Sequence, residues 1–207
     1  MRGDMRMKVE SRFLQFCAER TADIVREYQA SYGSDDELFW RSADELELLI
    51  KALQGKQIYC KSNRIPKLKA KYRAYTVFET DGTYTIIFVA GLDDKEIKYF
   101  KTKELFQIVL QQDAFRTRDL VDHITKMVER EGPGNRDLLL GHTATAETLA
   151  ELAAEEFLFP LSHRQKFLAD GGDPTNVGPL SDQYGIPDYI IQTCLSKELI
   201  ETLGEFF

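Results

Sequence analysis

Few residues in this 207-residue chain can do chemistry, and their spacing limits what that chemistry is. The three histidines, His123, His142 and His163, lie 19 and 21 residues apart. A local zinc motif needs ligands three or four residues apart on one helix face, so this spacing predicts surface or capping histidines and no bound metal. Cys17, Cys60 and Cys194 are odd in number and none has a CxxC partner. They read as buried thiols in a reducing compartment. Ser162 stands beside His163, but a nucleophilic dyad is defined by spatial geometry and not by sequence adjacency. The glycines at 132, 134, 171 and 172 lack the strand, loop, helix and lysine context of a phosphate cradle. No cofactor is expected.

Charge divides the chain. Residues 1–80 carry 15 Lys+Arg against 12 Asp+Glu, and residues 81–207 carry 12 against 22. Within the first part, residues 56–73 hold Lys56, Lys61, Arg64, Lys67, Lys69, Lys71 and Arg73 with no acid. Such a patch can contact nucleic acid or an acidic partner. In an acidic chain it reads first as a solvated loop and a strand edge whose lysines discourage pairing. Residues 137–207 hold 3 cations against 12 acids, which argues against DNA reading by the closing helices. No apolar run approaches the roughly 20 residues of a membrane span, and the charged N-terminus has no signal-peptide core. Together these predict a soluble, cytoplasmic protein with no membrane partner.

The elements that position these residues follow from periodicity. Val9, Phe13, Phe16, Cys17, Ile24 and Tyr28 recur at helical spacing over residues 8–31. Ser42, with Glu45 three residues on, opens a second helix whose stripe is Leu46, Leu49, Ile50 and Leu53, closed by Gly55. The period then changes to that of strands. Residues 72–79 and 84–90 are rich in β-branched and aromatic types, and Asp81-Gly82 between them predicts a hairpin. A short strand at 57–60 precedes it. Helix resumes after Gly91, with Asp93 and Asp94 at its start, again over 115–128, and over 145–159 up to Pro160. After a loop at 170–174, helical segments at 179–184 and 188–203 flank the turn Gly185-Ile186-Pro187. This order predicts a mostly helical α+β domain with a small antiparallel sheet packed against helices. Residues 1–40 read as an N-terminal helical extension and residues 41–207 as the main domain.

Three segments resemble the ImmA/IrrE metallopeptidase family. Residues 84–92 with Lys95, Glu96, Tyr99 and Phe100 are similar to the strand and helix entry of that family. Residues 153–160, AAEEFLFP, are similar to its FAAxLLMP segment, and residues 180–187, LSDQYGIP, to its LAxxFGVS turn. The resemblance implies a zincin-like core and a groove beside the hairpin edge, where an extended peptide adds as a strand. It departs at the chemistry. An HExxH helix binds Zn²⁺ through histidines at i and i+4 and uses its glutamate as general base. Here Glu104 holds the base position, while Lys103 and Gln107 stand where the histidines belong. The family's third ligand, eleven residues before the proline, falls on Leu149, flanked by Glu147 and Glu151. Taken alone, Lys103, Glu104 and Gln107 are polar residues of an exposed helix face. The resemblance implies instead that they line the former catalytic groove, with the Lys103 ammonium partly replacing the metal charge near Glu104. It implies a catalytically inactive, metal-free pseudo-peptidase that binds or regulates another protein, such as a helix-turn-helix repressor or a phage or mobile-element component. Two other functions stand beside it. One is an active metallo-hydrolase with an unconventional centre around Glu104, and the other is a nucleic-acid module built on residues 56–73.

Overall fold

The computed structural model describes residues 2–33, 41–66, 73–116 and 148–204. Helix α1 spans Arg2–Tyr32 and α2 spans Ala43–Gln54. Strands β1 (Ile58–Pro66), β2 (Ala74–Phe78) and β3 (Tyr84–Ala90) follow, then α3 (Asp94–Arg116). Residues 148–158 are helical (α4). Four short helices close the chain: α5 (Leu161–Ala169), α6 (Gly178–Tyr184), α7 (Asp188–Cys194) and α8 (Lys197–Leu203).

Local chemistry explains several of these boundaries. The Ser42 hydroxyl accepts from the Asp44 and Glu45 amides, so it caps α2 as its sequence predicts. Gly55 ends α2 at φ +62°, a left-handed conformation that favours glycine. At α3, Asp93 Oδ1 accepts from the Glu96 amide at 2.9 Å, and Glu96 Oε2 accepts from the Asp93 amide at 3.2 Å. This is a capping box with aspartate in the cap position. The hairpin forms where the Asp-Gly signal lies. Gly82 takes φ +82°, and Asp81 Oδ1 accepts from the Thr83 amide and hydroxyl.

The sheet is mixed, not antiparallel as expected. Strand order is β1-β3-β2: β2 pairs antiparallel with β3, but β1 pairs parallel to it. A hairpin signal reports neighbours in sequence. It says nothing of a third strand that reaches the other side of β3 through a crossover. That strand is also longer than residues 57–60. Two further differences lie in the helical half. Residues 161–169, given no element from periodicity, form α5 directly after Pro160, and the expected helix over 188–203 divides at Ser196. The Ser196 hydroxyl caps α8 by accepting from the Leu199 amide. The expected helix over 115–128 lies mostly outside the described residues.

One core joins these elements. Ile86 and Phe88 of β3, Leu105, Phe106 and Ile108 of α3, Leu46 and Ile50 of α2, and Ala153 and Phe157 of α4 are all buried in it. Helix α1 shares this core with the domain that follows. Cys17, Ile24 and Tyr28 are buried there, the Cys17 thiol donates to Leu149 O at 3.3 Å, and the Tyr28 ring meets Phe157 edge-on. No helix among the described residues is long and apolar enough to cross a membrane.

Candidate functional site

Among the described residues, the middle of helix α3 has no broad solvated face. From Lys101 to Phe106 every residue is buried, and Gln107 is half-buried. The expectation of an exposed polar face fails here. Periodicity marks one apolar stripe, while a central helix is covered on all sides whatever its sequence.

The three polar residues singled out by sequence therefore work inside the protein. Glu104 has 0% exposure. Its Oε2 accepts a hydrogen bond from the Thr76 hydroxyl of β2 at 2.7 Å, and the Lys103 ammonium lies 3.4 Å from Oε1. Two buried charges so close offset part of each other's desolvation, and each is costly without the other. Thr76 reaches Glu104 because it sits on the sheet face that α3 covers, in register with Ile86. One turn earlier, the Lys101 ammonium contacts Asp44 and Glu47 of α2. Burial opposes its charge, but these carboxylates outweigh that effect and hold Lys101 above its ordinary pKa. Helix α3 is thus tied by ion pairs to α2 and by a hydrogen bond to β2.

The remaining predicted residues do not gather here. Glu151 is exposed on α4, and Glu147 lies outside the described residues. Lys61 is exposed on β1, and Arg73, half-buried, directly precedes β2. Arg64 lies on β1, whereas Lys67, Lys69 and Lys71 lie outside the described residues. His163 is half-buried, with Nδ1 3.0 Å from the Tyr184 hydroxyl, and the other two histidines fall outside the described residues. Among the described residues, no three His, Cys, Asp or Glu side chains group as a metal site. Cys17 and Cys194 are buried as expected, but Cys60 is exposed on β1.

A second cluster of buried charge escaped the sequence analysis. Glu155 and Glu156 of α4 face Arg164 of α5, which has no exposed surface. Arg164 Nε donates to Phe159 O at 2.6 Å, and its Nη2 lies 3.6 Å from Glu156 Oε2. Glu156 Oε2 also accepts from the Leu161 amide at 2.8 Å, joining α4 to α5 across Pro160. Burial pushes the Glu155 carboxyl up to about 7, against the charge of Arg164 and hydrogen bonds from Cys194 and Tyr99. Two acids inside the apolar run AAEEFLF were the available signal: in a buried helix, such a pair needs a cation.

The backbone at the sheet edge completes the geometry. The Val89 amide donates to Arg73 O and the Glu79 amide to Thr83 O. Bonded pairs recur every second residue in an antiparallel ladder, so Tyr75 and Val77 also point their backbone groups toward β3. Those of Ala74, Thr76 and Phe78 face outward. Among the described residues β2 pairs with β3 alone. The edge sequence AYTVF has no charge and no proline, while the other edge, β1, carries Lys61 and Pro66.

No protein-family model matches this chain, and no curated protein matches it.

Proposed function

We propose that this protein is a non-catalytic, zincin-like binding module that captures an extended segment of another protein along β2. The carrying observation is an edge strand with no outer neighbour among the described residues, set beside a glutamate whose carboxylate is already engaged. Natural sheet edges are protected by lysine, proline or bulges, and β1 follows that rule. Strand β2 does not, and its outward backbone at Ala74, Thr76 and Phe78 offers a ladder to a partner strand. Phe78, 62% exposed at the end of that edge, supplies an apolar anchor. A general base must reach a water held by a metal. Glu104 is instead buried against Thr76 and Lys103, which favours a binding role over a hydrolytic one. The ImmA/IrrE resemblance, with its groove beside the hairpin edge, agrees with this reading, and the odd, scattered cysteines favour a cytoplasmic location. A repressor-type or mobile-element protein is the partner class that resemblance favours.

The test is selection of linear peptides on the full chain, followed by two variants at one position. Phe78→Pro removes an outward N–H without touching the β3 ladder and should abolish binding. Phe78→Ala keeps that N–H and should retain much of it. Equal loss in both variants, or a stoichiometric zinc ion in the purified protein, would overturn the proposal.

A further inference from the structure

The sheet face turned away from α3 carries a different surface. Pairing sets Tyr59, Thr85 and Val77 in one row across the three strands and Lys61, Ile87 and Tyr75 in the next. Paired residues share a face and successive residues alternate, so all six lie opposite Thr76 and Glu104. Thr85 is buried at the centre of this face. On the outer strands Tyr59 keeps 49% and Tyr75 41% of its surface exposed, and Lys61 is exposed between them. Two strand spacings and two residues separate the tyrosines, roughly 12 Å, so each ring can take a separate planar group. Each tyrosine thus keeps nearly half of its surface for a partner.

Charge indicates which planar group. Strand β1 lies in the stretch from 56 to 73 that holds seven cations and no acid. Lys61 is within the tyrosine face, and the Lys56 ammonium lies at the hairpin glycine Gly82, at the end where Tyr59 sits. Most acids of the chain lie after residue 80, but Glu79, one row beyond Val77 on this face, and Asp81 at the turn oppose the cations at that end. Among the described residues around this face, Lys56, Lys61 and Arg73 outnumber those two acids. Aromatic rings on an open sheet, flanked by lysines, match the stacking and backbone contacts by which single-stranded nucleic acids are held. An acidic peptide would satisfy the cations but would leave the ring faces without stacked partners.

We propose that this face binds single-stranded nucleic acid, with bases stacked on Tyr59 and Tyr75 and phosphates drawn to Lys61 and Lys56. The surface is separate from the β2 edge, so it stands or falls independently of peptide capture there.

Fluorescence anisotropy on the full chain tests it with labelled 12-nucleotide oligothymidylate, oligouridylate, a 12-base-pair duplex and an oligoglutamate peptide. One or both single strands should bind, the tighter identifying DNA or RNA, with the duplex and the peptide at least about tenfold weaker. Tyr59→Ala and Tyr75→Ala should each weaken binding about tenfold, from the stacking lost per base. Tyr→Phe at the same positions should retain binding, because the ring faces remain. Lys61→Ala should lower the slope of log affinity against log salt by about one. These side chains are exposed, and thermal melts should confirm folding. If a Tyr→Ala variant fails to fold, the Tyr→Phe pair and Lys61→Ala carry the test. The inference is wrong if neither strand binds saturably at low salt, or if duplex or oligoglutamate binds as tightly as the single strands. It is equally wrong if folded Tyr→Ala variants bind like the parent, if Tyr→Phe abolishes binding, or if Lys61→Ala leaves the salt slope unchanged.

Discussion

Burying Glu155 gives the stability of this protein a pH slope of definite sign. The carboxyl is 5% exposed and ionises near 7 in the folded chain, against 4.5 for the free group. Its neighbours are Tyr99 from α3, Glu151 on its own helix, Arg164 from α5 and Cys194 from α7. Between pH 4.5 and 7 the unfolded chain gives up this proton while the folded chain keeps it. Stability is therefore fullest below the unfolded value and falls as pH rises through the folded one. The difference of 2.5 pH units amounts to about 3 kcal/mol, or roughly 6–12 °C in melting temperature for a chain of this size. Glu155→Gln keeps the side-chain shape and removes the titration. Urea unfolding of parent and variant at pH 5, 6, 7 and 8 isolates the effect, because a constant offset from altered hydrogen bonds cancels between pH values. So does the titration of Glu156, whose buried carboxyl also lies above its ordinary range. The variant should gain about 2.5 kcal/mol on the parent between pH 5 and pH 8. A gap that does not change with pH, or one that moves the other way, refutes the assignment of a buried, late-ionising carboxyl at this position.

Two further outcomes follow from the α3 region. Lys103→Met should cost about 3–5 kcal/mol by leaving the Glu104 carboxylate buried without its cation, and Lys103→Met combined with Glu104→Gln should recover most of it. Chemical denaturation of the single and double variants measures both, and additive losses would exclude the pairing. Ser42→Ala should cost about 1 kcal/mol by removing the α2 cap, with Ser42→Gly costing only a few tenths more than the parent, again by chemical denaturation.

Particular residues show how far the sequence could be read. Ser42, Gly55 and Asp81-Gly82 announce their structures because caps and turns depend on a few adjacent residues. The parallel partner of β3 was hidden, since pairing partners distant in sequence leave no local mark. Lys101, Lys103 and Glu104 looked like a solvated face for a related reason: burial is set by what packs on a helix from outside. The Glu155, Glu156 and Arg164 cluster was half-visible. Two acids in an apolar run were plain in the sequence, but the cation that answers them lies on the next helix, beyond a proline.

By itself the sequence determined the α+β class, the hairpin, the starts of α2, α3, α6 and α7 and the absence of local zinc-binding spacing. These are consequences of short-range sterics, hydrogen bonding and periodicity. Tertiary structure alone decided that β1 runs parallel to β3, that α3 is central, and that Lys103, Glu104 and Thr76 form one buried contact. It also decided that Tyr59 and Tyr75 share an open face with Lys61. Each of these depends on which surfaces meet when remote segments pack, and that is fixed by the whole core and not by any one stretch of chain.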